Sequence, residues 1–447
     1  MVLFAAASSI GAQTLDGFAP NVGSPVNTIA IQTDGKIIVG GGFIISQNAT
    51  RLARINADGS IDTSFVPFTG FSSLGGVVND IVIQADGKLI VVGNFTVVIG
   101  GETRNLIARL NPNGSVDTTF IDPGLSAGGL ALFSIEFQSD GKIITGGNSS
   151  ASNDGRAVRR FTADGAIDPA FSSPTIVSDN LNFKTSLIVQ PDDKIVFGGS
   201  FPTVNGQSRR GIVRLNADGT FDSTFNPNLS ITVSALGLQA DGKYLIGNGN
   251  AVQDAPRVFR FNPDGSIDTS FTSVRNNGSA SIILPKANGK ILFGVSNGGN
   301  SSLFQLNADG TPDPAFRSLL INNSVIGIAR QADGKIIIGG AFSTVDGQSR
   351  TRLARIIVPS DPSASVSVSG LVTTPDGRGL RNATVIITSA AGVRRTVLTS
   401  SFGAYTFNDV ASNETYTLSV NSRRYRFAAR QVAVNGNLSD VNFVGLE

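Results

Sequence analysis

The sequence predicts an all-β chain: a seven-bladed β-propeller, closed by a strand from the N-terminal end, followed by a small β-sandwich. A turn of the Asp-Gly-Lys type, set between two short apolar runs, recurs seven times at intervals of 52, 54, 52, 49, 47 and 45 residues. The seventh copy lacks its final segment, and a match to that segment precedes the first copy. After Val358 the periodicity stops and a different set of alternating strands begins.

One unit is complete at residues 81–120. The runs IVIQ and KLIVVG flank Asp86-Gly87, which reads as a tight hairpin turn with φ > 0 at both central residues. After a loop at 94–104, LIARLN and SVDTTF flank Asn113-Gly114, so a unit reads as four short antiparallel strands. A lone unit would leave its apolar faces uncovered. Copies placed side by side cover them, which is the logic of a repeat protein.

The first turn stands at Asp34, Asp86, Asp140, Asp192, Asp241, Asn288 and Asp333, each followed two residues later by Lys. The third strand recurs as RLARI at Arg51, IARL at Ile107, VRRF at Val158, IVRL at Ile212, VFRF at Val258, LFQL at Leu303 and RLARI at Arg352. The closing strand recurs at 61–65, 116–120, 167–171, 221–225, 267–271 and 312–316, and is missing after the seventh third strand. Its counterpart is Leu15-Asp16-Gly17-Phe18-Ala19-Pro20, ahead of the first unit. The N-terminal segment therefore supplies the outer strand of the last blade. An open solenoid would need no such offset.

The iterated pattern QxDGKIIxGG…RLARLNxDGSxDxxF resembles the delta-60 repeat β-propeller family of bacterial secreted and surface proteins, over roughly residues 14–357. Units four and six depart from it, with Asp193 and Asn288 at the turn and Gln305 in place of the third-strand Arg. The resemblance implies a propeller and a secreted or surface location.

Lys+Arg number 35 against 33 Asp+Glu, a net charge of +2, so no strong field favours nucleic acid or an anionic membrane. No run approaches the ~20 apolar residues of a membrane span. Residues 1–13 begin with MVLFAAASSIGA, which is apolar, small-residue-rich and without a cation before Lys36. The segment reads either as a shortened secretory signal or as an apolar N-terminal arm.

Residues 358–364 form a Pro/Ser linker, and 365–447 carry the strands VSVSGLV, ATVIITS, RRTVLTS, GAYTFNDV, TYTLSVN and QVAVNGNLSDVNFVG. With Gly370, Gly377, Ala383, Gly403, Tyr405 and Phe407 at its landmarks, this region resembles the carboxypeptidase-regulatory-like domain, a transthyretin-type sandwich associated with folding, adhesion and spacing roles. It holds eight Arg against five acids, densest at Arg423-Arg424-Tyr425-Arg426, which reads as a solvated strand end. The chain has no Lys after Lys335, which excludes an internal Lys–Asn isopeptide in this domain.

The chain has no Cys and no His, which excludes thiolate chemistry, Ser-His-Asp and Cys-His arrangements, and His-ligated metal. Carboxylate acid/base chemistry remains open. It has four Glu (Glu102, Glu136, Glu414, Glu447), and most Asp recur in every unit, where they serve the blade. Catalytic pairs would break the repeat. Residues 56–62 and 262–268 gather oxygen side chains superficially like a calcium loop, but lack its full pattern and distal Glu. Asx-assisted turns explain them. The Gly triplet at 40–42 has no following helix to make a phosphate loop.

The expectation is a non-enzymatic protein with no catalytic, metal or cofactor residues, secreted or at the cell surface, acting in adhesion, recognition or assembly. Partners would be proteins or further copies, in a filament, with glycans at the loop face: 99–104, 204–209 and 345–350. The rival expectation is a carbohydrate-active or calcium-dependent enzyme using the loop-rich face of the ring. A lone acidic pair at the channel mouth, breaking the seven-fold pattern, would favour that rival.

Overall fold

The computed structural model describes residues 13–446 except 47–48, 68–75, 100–101, 127–129, 149–155, 177–184, 228, 230, 251–255, 274–277, 287, 359–364, 390–391, 412–413, 423 and 435–437. The chain divides into two compact units, Met1–Val358 and Pro359–Glu447. Among the described residues no helix is long and apolar enough to cross a membrane.

The first unit is a ring of seven antiparallel blades. Their inner strands are Val26–Ile31, Val77–Ile83, Leu132–Phe137, Ser186–Val189, Val233–Leu238, Ser279–Pro285 and Val325–Arg330. Each pairs with a middle strand, respectively Ile37–Ser46, Leu89–Ile99, Ile143–Gly147, Ile195–Gly198, Tyr244–Asn248, Ile291–Asn297 and Ile336–Gly340. The third strands are Ala49–Ile55, Glu102–Leu110, Val158–Phe161, Ile212–Leu215, Val258–Phe261, Asn300–Leu306 and Leu353–Ile357. Each inner strand touches the next one in order, and the seventh touches the first. The ring is closed.

Closure follows the sequence reading. Thr14–Leu15 adds to the outer side of blade seven in antiparallel register, Thr14 opposite Ile357 and Leu15 opposite Ile356. Elsewhere the expected fourth strand is shorter than anticipated. In blades one to six it shrinks to a single bridge, such as Ile55 with Ile61 or Leu110 with Val116. The cause is the aspartate that follows: the Asp62 carboxylate accepts from Ser64 N at 3.0 Å and bends the chain into a turn at once.

The Asp-Gly turns also differ from the two-residue type. Gly35 has φ 83, but Asp34 does not enter the left-handed region. Gly35 N donates to Gln32 O and Gln32 N to Lys36 O, each at 2.9 Å, which closes a three-residue loop with the glycine as bulge. The true two-residue form occurs in the loop hairpins, at Asn205-Gly206 (φ 49 and 73) and Asp346-Gly347 (φ 52 and 77).

The cores lie between blades. Ile38, Leu52 and Phe65 of blade one pack with Val78, Ile81, Leu89 and Val91 of blade two, all buried. Fully burying one such side chain contributes roughly 1.5–3 kcal/mol. Crowding by the inner strands also explains the recurring glycines late in the middle strands. A Cβ on Gly40 would stand 2.6 Å from Val78 of the next blade, and one on Gly93 would strike the Val77 carbonyl of its own inner strand.

The second unit is a two-sheet sandwich. One sheet orders Ala404–Ala411, Ser365–Thr373 and Phe443–Val444; the other orders Arg394–Leu398, Thr384–Thr388, Glu414–Asn421 and Arg430–Val434. The last apolar run of the sequence is therefore two strands in different sheets, and Phe443–Val444 runs parallel to its neighbour. Val368, Val385, Phe407 and Leu418 fill the core, and Tyr405 donates its hydroxyl to Val441 O at 2.6 Å.

Replacing Gly93 by Ala should lower stability by about 2 kcal/mol, because the inner strand must move to admit the methyl group. Gly17→Ala, with nothing within 4 Å of the new atom, should be near neutral. Urea unfolding of both variants checks the contrast.

Candidate functional site

The repeated charged residues form one structural device per blade. Arg109 Nε lies 2.8 Å from Asp117 Oδ2, and Lys88 Nζ lies 2.9 Å from the same oxygen. Blades one, four and five repeat the triad with Arg54–Asp62–Lys36, Arg214–Asp222–Lys194 and Arg260–Asp268–Lys243. The guanidinium then reaches the neighbouring blade: Arg54 donates to Pro112 O at 2.7 Å, Arg109 to Ala163 O at 2.9 Å and Arg160 to Ala217 O at 2.6 Å. Each Arg also covers the Phe of its closing segment, as Arg109 does Phe120 at 4.9 Å. Lys36, then Ser64, hold the Asp62 acid far below the usual carboxylate range, and Lys243 and Ser270 do the same for Asp268. These aspartates serve the blade.

The calcium-like stretches are satisfied internally. Ser60 donates through N and Oγ to Asp58 Oδ1 at 2.9 and 2.7 Å, while Asn56 Nδ2 donates to Ser60 Oγ at 2.9 Å. Residues 262–266 repeat the arrangement with Asn262, Asp264 and Ser266. They are Asx turns. Among the described residues no group of three or more Asp or Glu is placed to hold a metal ion.

The loop face is largely spent on contacts within and between blades. Asn205 Oδ1 accepts from Thr175 N at 2.8 Å, Arg317 pairs with Asp346, and Arg350 donates to Asp16 O at 2.7 Å. Arg209 lies over Phe221 at 5.2 Å. Gln207, Ser208, Gln348 and Ser349 are exposed. In the 99–104 loop, Gly100 and Gly101 lie outside the described residues, and Arg104 stands 3.9 Å from Asp122. In the sandwich, Arg423 lies outside the described residues; Arg424 and Arg426 are exposed, and Arg426 pairs through its backbone with Leu446.

The central bore departs from seven-fold regularity. A cavity of about 210 Å³ is lined by Asn27, Thr28, Asp80, Ser186, Ser234, Ser281 and Gly327, among others, from six of the inner strands. Asp80 clips three blades together: its Oδ1 accepts from Thr28 Oγ1 and Ile81 N, each at 2.9 Å, and its Oδ2 from Ile135 N at 3.1 Å. Glu136 stands on the next inner strand. Water reaches it, yet the surrounding protein encloses it, and burial first and the Asp80 charge second push its acid up to about 7.

Sequence reasoning did not single out this pair. Counting back from the first turn would have found it. Asp80 occupies the place of Thr28, Ser134, Ser186, Ala235, Ile282 and Gly327, and Glu136 that of Ala30, Val82, Ile188, Gly237, Leu284 and Ala329.

A family model described as "Domain of unknown function (DUF5122) beta-propeller" matches seven times, at residues 32–65, 84–120, 138–171, 190–225, 239–271, 286–316 and 331–356. The chain belongs to this β-propeller family. The model of the carboxypeptidase regulatory-like domain matches residues 367–444. A comparison with curated proteins finds no match. Among solved structures, a streptogramin B lyase aligns at 14% identity and a TM-score of 0.50, covering 77% of this chain and 97% of that one. The WD40 beta propeller domain of Doa1 aligns at 14% identity and a TM-score of 0.50, covering 77% and 96%. PorZ, a bacterial surface component of the type-IX secretion system of Porphyromonas gingivalis, aligns at 15% identity and a TM-score of 0.44, covering 94% and 60%. At such identities the likeness is one of fold.

Because the folded Glu136 keeps its proton at pH values where the unfolded chain has lost it, its contribution to stability is fullest below about pH 4.5 and falls as pH rises through 7. Glu136→Gln should remove that decline. Urea midpoints at pH 5 and pH 8 should converge in the variant and differ in the wild type.

Proposed function

We propose that this is a non-enzymatic secreted or cell-surface protein acting in adhesion, recognition or assembly, and that it works as a subunit of an extracellular filament. The observation that carries the reading is the surface of the sandwich. Leu371 and Val444 are exposed on the outward-facing side of one sheet, and Phe402, in the turn that precedes Ala404–Ala411, and Leu446, after Phe443–Val444, are exposed as well, Phe402 by 82%. In the other sheet Arg394–Leu398 is an edge strand, and Leu398 on it is exposed. An apolar sheet face and an open edge are the means by which β proteins add further chains. The apolar segment 1–12, a net charge of +2, and ring aspartates and loop residues already engaged within the ring support the same reading. A contact of this kind between unlike surfaces gives filaments when its rotation does not close.

Negative-stain electron microscopy of the full chain should show ordered polymers. They should disappear when residues 1–12 are deleted with Gln13 retained, or when Phe402 and Leu446 are changed to Ser. Isolated rings in every sample would refute the filament.

A second reading rests on the bore. Asp80 and Glu136 form an acidic pair that occurs once in the ring, as a carbohydrate-active or calcium-dependent site would require. Glycan and calcium titrations of wild type and Glu136→Gln test it: binding or hydrolysis lost in the variant would favour this reading, and no response in the wild type would remove it.

A further inference from the structure

At the junction from blade six to blade seven the usual bridge cannot form. In the first five blades the third-strand Arg donates to a carbonyl in the second hairpin of the next blade. In four of them the residue after the closing Phe also donates its amide there, as Val66 does to Asn113 O at 3.0 Å and Ile121 to Asp164 O at 2.7 Å. Blade seven has no second hairpin, because its outer strand comes from the N-terminal segment. The Arg of blade six would have no carbonyl to reach, and Gln305 stands in its place, donating to Asp313 at 2.6 Å.

Gln13 fills the gap. It is 4% exposed. Its Oε1 accepts from Arg317 N at 3.1 Å, the amide that corresponds to Val66 N, and its Nε2 donates to Ala315 O at 3.2 Å. Three residues on, Asp16 takes the part of the closing-strand aspartate for Arg355 at 2.6 Å, and Arg355 carries the bridge on to Ala57 O of blade one at 2.6 Å. Phe18 lies under Arg355 at 4.6 Å. Phe18 also packs in one core with Ile37, Val39 and Ile55 of blade one, so residues 13–18 hold blade six through Gln13, blade seven through Thr14, Leu15 and Asp16, and blade one through Phe18.

We infer that residues 13–18 are a strap locking three blades, that Gln13 is its latch, and that the ring opens first at the hairpin end of the junction between blades six and seven. At the loop end that junction keeps its own ties, Ile321 bridging Val345 and Asn322 Oδ1 accepting from Ser343 N at 2.9 Å. Opening is therefore a local hinging of the hairpin end. The inference does not depend on polymerisation or on any ligand.

Native-state hydrogen exchange on the full chain tests it. In the wild type, Arg317 and residues 353–357 should exchange faster than the corresponding amides of blades two and three, where Ile121 N and Ser172 N are bonded to the next blade. Gln13→Ala should raise exchange there by roughly fivefold to tenfold, as expected for two lost hydrogen bonds, and leave blades two to four unchanged. Gln13→Glu, which keeps the acceptor for Arg317 and loses the donor to Ala315, should fall between. Equal acceleration in all blades, or a first opening at another junction, would overturn the inference.

Discussion

The propeller depends on one guanidinium geometry used repeatedly. The planar fork of an arginine can hold a carboxylate with one nitrogen and a backbone carbonyl with another, which an ammonium cannot do in fixed directions. Arg109 does this with Asp117 and Ala163, lying over Phe120 as it does so. Both ends of the pair are buried, so the charges are costly unless every donor and acceptor is matched. The lysine two residues after the turn and the Ser or Thr two residues after the aspartate supply the matching. A bridge inside one blade thereby becomes a bond to the next, and what would be seven separate sheets becomes a ring.

The exceptions follow the same rule. Where the next blade offers no hairpin, the arginine is replaced by Gln305 and a glutamine from the N-terminal segment supplies the missing contact. In unit four, Asp193 sits at a left-handed position, φ 62, that glycine holds elsewhere. Its carboxylate accepts from Ser139 N at 2.7 Å, tying the first turn of blade four to that of blade three. Both departures from the repeat are local solutions to a bridging problem, and neither points to a ligand.

Much of this was legible in the sequence. The repeat spacing, the missing seventh closing segment and its counterpart at Leu15–Phe18 specify the ring and its closure. The reach of the arginines in the first five blades was not legible, because the acceptor lies 48 to 58 residues away and is a backbone carbonyl that no residue type marks. The turn type was misread because Asp-Gly serves both two-residue and three-residue loops, and the neighbouring twist decides between them. The bore pair was hidden for another reason. Asp80 and Glu136 differ by two places in their units, and their proximity appears once adjacent inner strands are set side by side.

Function follows from what the bridges leave over. Charged residues that recur are consumed in holding the ring, so the side chains left over lie in the exposed hairpin tips, in the bore, and on the sandwich. The most direct measurement of the central claim is the urea stability of Arg109→Gln beside Gln305→Arg. The account predicts a loss of about 2 kcal/mol for the first, where a charged bridge to Ala163 is cut, and no gain for the second, where no carbonyl waits. A neutral Arg109→Gln, or a Gln305→Arg that stabilises the chain, would contradict it.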